Sequence, residues 1–423
     1  MLAIKNGRVL TPSGTFLDGA TVLVDGGKII SVTSAGQGAA IPAGAEVVDA
    51  SGKYVLPGLI DASTRAGIHE DGNGPIGVDT DEPSNPISPQ LRTIDAAWHE
   101  DLALKDALQW GVTATMVSPG TANIFGGQTF VMKTAGRTLT DMAIKNPAGM
   151  KVSLTGTPRM AMMAAMRGGP QIQPRDRAQD VALFQAELQR AREAMERQER
   201  LEKAKAAGAT NLPEPDRNLR TEAIMALLRG EMPIFVTAHL NHDISNAIEL
   251  AREWGLKLVL ERCAEGHLVL DEIQESGAAV VAGPITVNRR SDLKNLSLKL
   301  PGVLARAGVK VAISTDHPTI PIHYLTVQAA TAVREGMGEA DALKAITINP
   351  AEILGVAGRM GSLEAGKDAD VAVYSGHPFD INTRVELTYV NGVKVWDAAS
   401  AWDPEDWAVA QGLTQPGYRR GAK

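Results

Sequence analysis

The feature that most restricts this chain is a series of eight apolar runs, each bounded by turn residues and set apart by polar or helical stretches. They are Tyr54–Ala62, Thr113–Pro119, Thr129–Thr134, Met150–Thr155, Pro233–Leu240, Lys257–Cys263, Ala279–Pro284 and Val309–Asp316. Strands covered on both faces need near-continuous hydrophobicity, whereas a half-exposed sheet alternates, so the runs read as buried parallel strands joined by crossover helices. Eight of them predict an α/β fold built on a closed (β/α)8 barrel of the TIM type. The third and fourth runs carry the weakest pattern. A chain of 423 residues has room for one such barrel and a smaller companion.

The two ends read differently. Met1–Asp49 and Gly361–Trp396 hold short strands and tight turns such as Asp25-Gly26-Gly27 and Asn391-Gly392, the pattern of small all-β pieces. Because they flank the barrel in sequence, they are expected to pair in space as one small all-β domain. The expected organisation is therefore residues 1–53 as the first half of a β-sandwich, 54–357 as the barrel and 358–423 as the second half with a tail. A helical insertion is expected at 160–230. Within it, Arg175–Gly208 places Val181, Phe184, Leu188, Ala191 and Met195 at helical spacing, and Glu193–Arg197, Glu196–Arg200 and Glu199–Lys203 at i,i+4 on the polar side. The solvated face of such a helix can also serve as an oligomer contact. Pro213 and Pro215 are expected to break it before a second helix at Thr221–Arg229.

A formal net charge of −7 leaves no basic face to neutralise phosphates, which argues against a nucleic-acid partner. No run is long enough to predict a membrane span. The opening MLAIKNGRVLTP alternates like a strand and lacks the features of a signal peptide, so the expected location is cytoplasmic. Cys263 is the single cysteine, so any metal site would have to use histidine and carboxylate.

In a barrel of this kind activity sits at the C-terminal ends of the strands, and the residues there are distinctive. The first run continues Pro57-Gly58-Leu59-Ile60-Asp61-Ala62-Ser63-Thr64-Arg65 into an acidic, Gly-rich loop. Gly111-Val112-Thr113 opens the second strand and Thr315-Asp316-His317-Pro318 closes the eighth. Ala345-Ile346-Thr347-Ile348-Asn349-Pro350-Ala351 and Gly361-Ser362-Leu363-Glu364-Ala365-Gly366-Lys367-Asp368-Ala369-Asp370 follow.

Over nearly the whole chain these motifs resemble the amidohydrolase superfamily, in particular its imidazolonepropionase-like subgroup. The resemblance implies a barrel with one or two divalent metals, held by a histidine pair on strand one, one histidine each on strands five and six, and an aspartate on strand eight. Here the strand-one pair is Ser63 and Arg65. Strand five reads Thr237-Ala238-His239, with Thr237 in the ligand's place and His239 two residues along on the same face. Strand six reads Glu261-Arg262-Cys263-Ala264-Glu265-Gly266-His267, with Arg262 in the ligand's place and His267 beyond it. Asp316 alone matches. Lys151 is the nearest candidate for the bridging carboxyl position that the subgroup can supply from strand four.

A guanidinium is permanently protonated and has no lone pair, and hydroxyls are poor replacements for imidazole, so the substitutions at Ser63, Arg65, Thr237 and Arg262 predict loss of the ordinary metal centre and no metal cofactor. The alternative is a relocated divalent site, for zinc or a similar ion, using His239, His267, Asp316 and His69 or His317. His99, His242, His323 and His377 read as ordinary surface or packing residues. Left without metal, a buried Asp316 needs a partner. Arg65 and Arg262 are the obvious ones, and the expectation is an Arg–Asp cluster in which one arginine neutralises Asp316 and the other is available to an anionic group. Separation of Asp316 from both guanidiniums by more than about 6 Å would contradict it.

Three functions follow as expectations. The first is a non-hydrolytic relative that binds a small-molecule ligand or pairs with an intact paralogue, as a homo- or hetero-oligomer. The second is an active hydrolase of non-peptide C–N bonds, with metal-bound water and Asp316 as the proton acceptor. The third is metal-free catalysis by Asp316 with an arginine stabilising an oxyanion. Asp316, His239 and His267 are the candidate catalytic residues, and His69, Lys151 and Arg289 the candidate pocket residues. The loop Gly67–Asn85 and the stretch Asn288-Arg289-Arg290 are expected to shape the pocket.

Overall fold

The computed structural model describes residues 1–37, 40–158, 176–210, 212, 217–289 and 291–400. The first five strands are β1 (Leu2–Leu10), β2 (Phe16–Asp25), β3 (Lys28–Thr33), β4 (Glu46–Asp49) and β5 (Tyr54–Pro57). β1 is the hub: it pairs antiparallel with β2, and parallel with β4 through its first half and with β5 through its second. Ile4, Val9, Val22, Val24 and Val55 fill the inner face.

The chain passes into the barrel at Gly58. A Cβ there would stand 1.9 Å from Thr113 Oγ1, so only glycine lets the two sheets meet this closely. The first apolar run is thus divided: Tyr54–Pro57 belongs to the end sheet, and the barrel begins with β6 (Leu59–Thr64).

β7 (Val112–Val117), β8 (Phe125–Lys133), β9 (Ala143–Ser153), β10 (Ile234–Ala238), β11 (Leu258–Arg262), β12 (Ala279–Ala282) and β13 (Val311–Ile313) follow β6 side by side in chain order. The eight strands form a nearly closed barrel. The seam between β13 and β6 is bridged by side chains: Thr315 donates through its backbone N–H and its hydroxyl to Asp61 Oδ2 at 3.1 and 2.5 Å, and Ser314 Oγ donates to the Ser63 carbonyl at 2.5 Å. One part of the all-parallel expectation is corrected. β8 runs antiparallel to both β7 and β9. The link between the second and third apolar runs, Gly120–Gln128, is too short for the crossover helix that a parallel pair requires.

Ile60, Ala62, Ala114, Met116, Phe235, Val259, Val281 and Ala312 pack within the barrel. Outside it, the helix Arg177–Ala206 buries Phe184, Leu188 and Ala191 and half-buries Val181 and Met195, the apolar stripe expected from spacing. On its polar side Glu196 pairs with Arg200 at 3.7 Å and Glu199 with Lys203 at 2.6 Å, while Glu193 accepts from Gln189. The second helix spans Leu219–Leu228. Residues 160–175 of the expected insertion, Pro213, Pro215, Arg290 and the tail from 401 lie outside the described residues.

The chain then returns to the first sheet as β14 (Val371–Tyr374), β15 (Val385–Val390) and β16 (Val393–Asp397), with β14 antiparallel to β5. Both chain ends therefore build one sheet, as expected from their places on either side of the barrel in sequence. The buried ammonium of Lys133, at the end of β8, stands 2.9 Å from both Asp368 and Asp370, which fixes that sheet to the barrel. Among the described residues no helix is long and apolar enough to cross a membrane.

Candidate functional site

At the C-terminal ends of the parallel strands the backbone leaves regular geometry at the residues that carry charge. Arg262 ends β11 with φ 72°, Cys263 follows at 48°, and Asp316 lies three residues past β13 at 51°. Left-handed backbone at a residue with a Cβ costs about 1–2 kcal/mol and persists only where surrounding contacts enforce it. Here those contacts are ionic. Arg262 Nη2 lies 2.7 Å from each carboxylate oxygen of Asp316. Arg65 Nη2 lies 3.1 Å from Oδ1, its Nη1 donates to the Asp316 carbonyl at 3.3 Å, and Thr319 Oγ1 donates to Oδ2 at 2.9 Å. Burial pushes the Asp316 carboxyl up, but the guanidiniums of Arg262 and Arg65, with Lys151 behind them, outweigh it and hold the carboxyl below its usual range.

The expected Arg–Asp cluster is present, with one difference. Both arginines engage the same carboxylate, so neither is wholly reserved for an outside anion. The reason is geometric: Asp316 presents two oxygens and a carbonyl to two donor forks entering from β6 and β11.

A second buried couple lies beneath. Lys151 Nζ on β9 donates to Glu261 Oε2, and Thr237 Oγ1 donates to the same oxygen at 3.0 Å. The Ser63 hydroxyl also favours the ionised Glu261. Burial raises the Glu261 carboxyl, and the Lys151 ammonium more than offsets it, leaving the group below its ordinary range. The four positions singled out on strands one, five and six thus divide by chemistry. The hydroxyls of Ser63 and Thr237 serve Glu261, and the guanidiniums of Arg65 and Arg262 serve Asp316.

Glu261 was not among the expected site residues. Its position beside Arg262 was visible, but adjacent residues on a regular strand face opposite ways, and the left-handed turn at Arg262 cannot be read from residue types.

A cavity of about 400 Å³ opens above this network, with Arg262, Asp316, His239 and Arg289 on its polar side. His239 is buried, its Nε2 3.7 Å from Asp292 Oδ2. Arg289 is exposed and lines the same cavity. Lys151 lies below the cavity, within the Glu261 pair.

His267 and His69 are not among the residues lining the cavity. His267 sits in the turn Gly266–Leu268, which packs on Ile273 and Leu300, while Glu265 turns back to accept the Asn241 N–H at 2.9 Å. His69 belongs to the strap after β6, where its N–H bonds the Arg65 carbonyl and Asp101 ties Gly67 and Asp71.

These donors do not fit a divalent ion. Both Asp316 oxygens and Glu261 Oε2 already take cationic or hydroxyl donors, and Arg65, Arg262 and Lys151 surround these carboxylates with positive charge. Among the described residues no group of three or more histidine, cysteine, aspartate or glutamate side chains is arranged to hold a metal ion.

Comparison with known proteins agrees with the fold. Residues 54–395 match the model of the amidohydrolase family. A solved amidohydrolase from Thermotoga maritima is 34% identical with a TM-score of 0.87, covering 94% of this chain and all of that one. An imidazolonepropionase from Thermoplasma acidophilum is 26% identical over 89% of this chain and 86% of its own. The amidohydrolase tasK of Hapsidospora irregularis is 25% identical over 89% of this chain, which spans 40% of tasK's length. With its family match extending from β5 through the whole barrel and into β16, this chain belongs to the amidohydrolase family.

Proposed function

We propose that this chain is an amidohydrolase-fold protein that has given up the metal-dependent hydrolytic centre and acts as a ligand-binding or partner subunit beside an intact relative. The observation that carries the reading is the clamping of Asp316 between Arg65 and Arg262. The aspartate that would accept a proton from metal-bound water serves here as counter-ion to two guanidiniums. A cavity remains above it, which suits a small-molecule ligand. We place the protein in the cytoplasm, a compartment that a chain with a single buried cysteine suits.

A second reading, an active hydrolase of non-peptide C–N bonds, draws support from the relatives named as amidohydrolases, tasK and the Thermotoga maritima protein. Metal analysis decides between them. Protein purified without metal-affinity resins or chelators is expected to carry well under one equivalent of zinc, iron or manganese. A stoichiometric content would overturn the first reading. Co-purification with a relative that keeps the histidine pair would support the partner role, and a lone chain in native extracts would remove it.

A further inference from the structure

The charged groups at the barrel mouth do not balance. Arg65 and Arg262 place two cations on the single carboxylate of Asp316, while Lys151 and Glu261 form a separate one-to-one couple. Asp61 lies apart, on the seam, with its own donors from Thr315 and Ser63. The cluster at Asp316 therefore holds one guanidinium more than it has carboxylates. Buried charge is costly unless paired, so an excess beside a cavity is a place for an anion.

Geometry says where that anion would sit. The pair with Asp316 uses Nη2 of Arg262, while a guanidinium has N–H donors on its Nη1 and Nε as well. Arg262 also lines the cavity, and Arg289 lines it too. The carboxylates beside this wall are Asp316, already held by its two guanidiniums, and Asp292, near His239. Val287, Leu293, Leu296 and Ile320 supply apolar lining, beside the polar side chains of Thr286, Asn288 and Thr319.

We infer that the cavity takes a small monocarboxylate with an apolar body, its carboxylate received by Arg289 and the outer edge of Arg262 and its body laid against Val287, Leu293 and Leu296. The planar donor fork of arginine matches a carboxylate, and a single negative charge matches the single excess. The inference rests on the reading that no metal occupies the site.

The test is calorimetric titration of the full-length protein with benzoate, benzamide and phenyl phosphate, alongside Arg289→Gln, which lies on an exposed position and leaves the buried network untouched. Benzoate is expected to bind with one-to-one stoichiometry, benzamide and phenyl phosphate at least about tenfold more weakly, and R289Q to weaken benzoate by about tenfold. Equal binding of benzoate and benzamide, tighter binding of phenyl phosphate, indifference to R289Q, or no benzoate binding would each overturn the assignment. Metal content measured on the same sample separates the two levels. A metal-free protein that fails with benzoate removes this inference alone, and a stoichiometric metal removes the reading beneath it.

Discussion

Arg262 Nη2 lies 2.7 Å from both carboxylate oxygens of Asp316, and each residue holds a left-handed backbone to do so, with φ 72° and 51°. The site therefore carries backbone strain that this ion pair, with the contacts from Arg65 and Thr319, offsets. Replacing Asp316 with alanine would leave two guanidiniums, 13% and 14% exposed, without a counter-charge. The expected cost is about 3–5 kcal/mol, measured by urea denaturation of wild type and D316A. A loss below about 1 kcal/mol would show that Asp316 is not the counter-ion that the geometry describes.

The Lys151–Glu261 pair makes a different prediction, because both groups are almost wholly buried. Lys151→Met alone strands a carboxylate and Glu261→Gln alone strands an ammonium, each at about 3–5 kcal/mol. The double variant K151M/E261Q removes both charges together and should be less destabilised than the sum by about 1–3 kcal/mol. A double-mutant cycle on denaturation midpoints reads the coupling, and strict additivity would contradict a direct pair.

How much of this was legible in the sequence depends on the physics of each feature. The barrel was legible because doubly covered strands must be apolar end to end, and the end sheet because turns such as Asn391-Gly392 declare themselves. The reversed direction of β8 was available too, in the short Gly120–Gln128 link, but apolar runs carry no sign of direction. Arg65 and Arg262 could be paired with Asp316 because a buried carboxylate needs a cation. Glu261 could not be placed, since its role depends on the backbone turning left-handed at Arg262. His267 lies in a turn of its own, Gly266–Leu268, packed on Ile273 and Leu300, which residue types alone do not announce.

Stability should depend on pH through Asp61, whose buried carboxyl is pushed up to about 6, burial outweighing the donors from Thr315, Ser314 and Ser63. Its folded value lies above its unfolded one, so its contribution is fully present below about pH 4 and is lost as the pH rises to about 6. His317, lowered to about 4 mainly by burial, acts in the opposite sense over the same range: the unfolded chain takes up the proton first, so its contribution is lost as the pH falls. Subtracting the stability curve of Asp61→Asn from that of wild type cancels the histidine. The difference should fall by about 2–3 kcal/mol between pH 4 and 6. A flat difference would mean that Asp61 does not titrate in that window.

Gly283 sits on the cavity wall with φ 140°, and a Cβ there would meet the Ser314 carbonyl oxygen at 2.1 Å. Neither the backbone angle nor the contact can be relieved by a side-chain rotation. Gly283→Ala should therefore cost more than about 3 kcal/mol and loosen the Ser314–Asp316 segment that presents the carboxylate. Thermal unfolding of the variant checks this, and a melting temperature within about 2 °C of wild type would refute the close approach.

The response to metal follows from the same arrangement of charge. A ligand that binds the folded state alone stabilises it by RT ln(1 + [L]/Kd), about 2.7 kcal/mol at a hundredfold excess over Kd, and its removal costs the same. For a divalent ion to bind at this barrel mouth it would have to displace Arg262 and Arg65 from Asp316, or Lys151 and Thr237 from Glu261, while standing beside the displaced cations. Each displacement leaves a buried charge unpaired at a cost of about 3–5 kcal/mol, larger than the gain that such a modest site could return. Chelator treatment of the purified protein, and then addition of zinc or manganese at micromolar concentration, are both expected to leave the melting temperature unchanged. A fall on chelation that the metal reverses would show that a metal is held after all, and with D316A as a control it would show whether Asp316 is among its ligands.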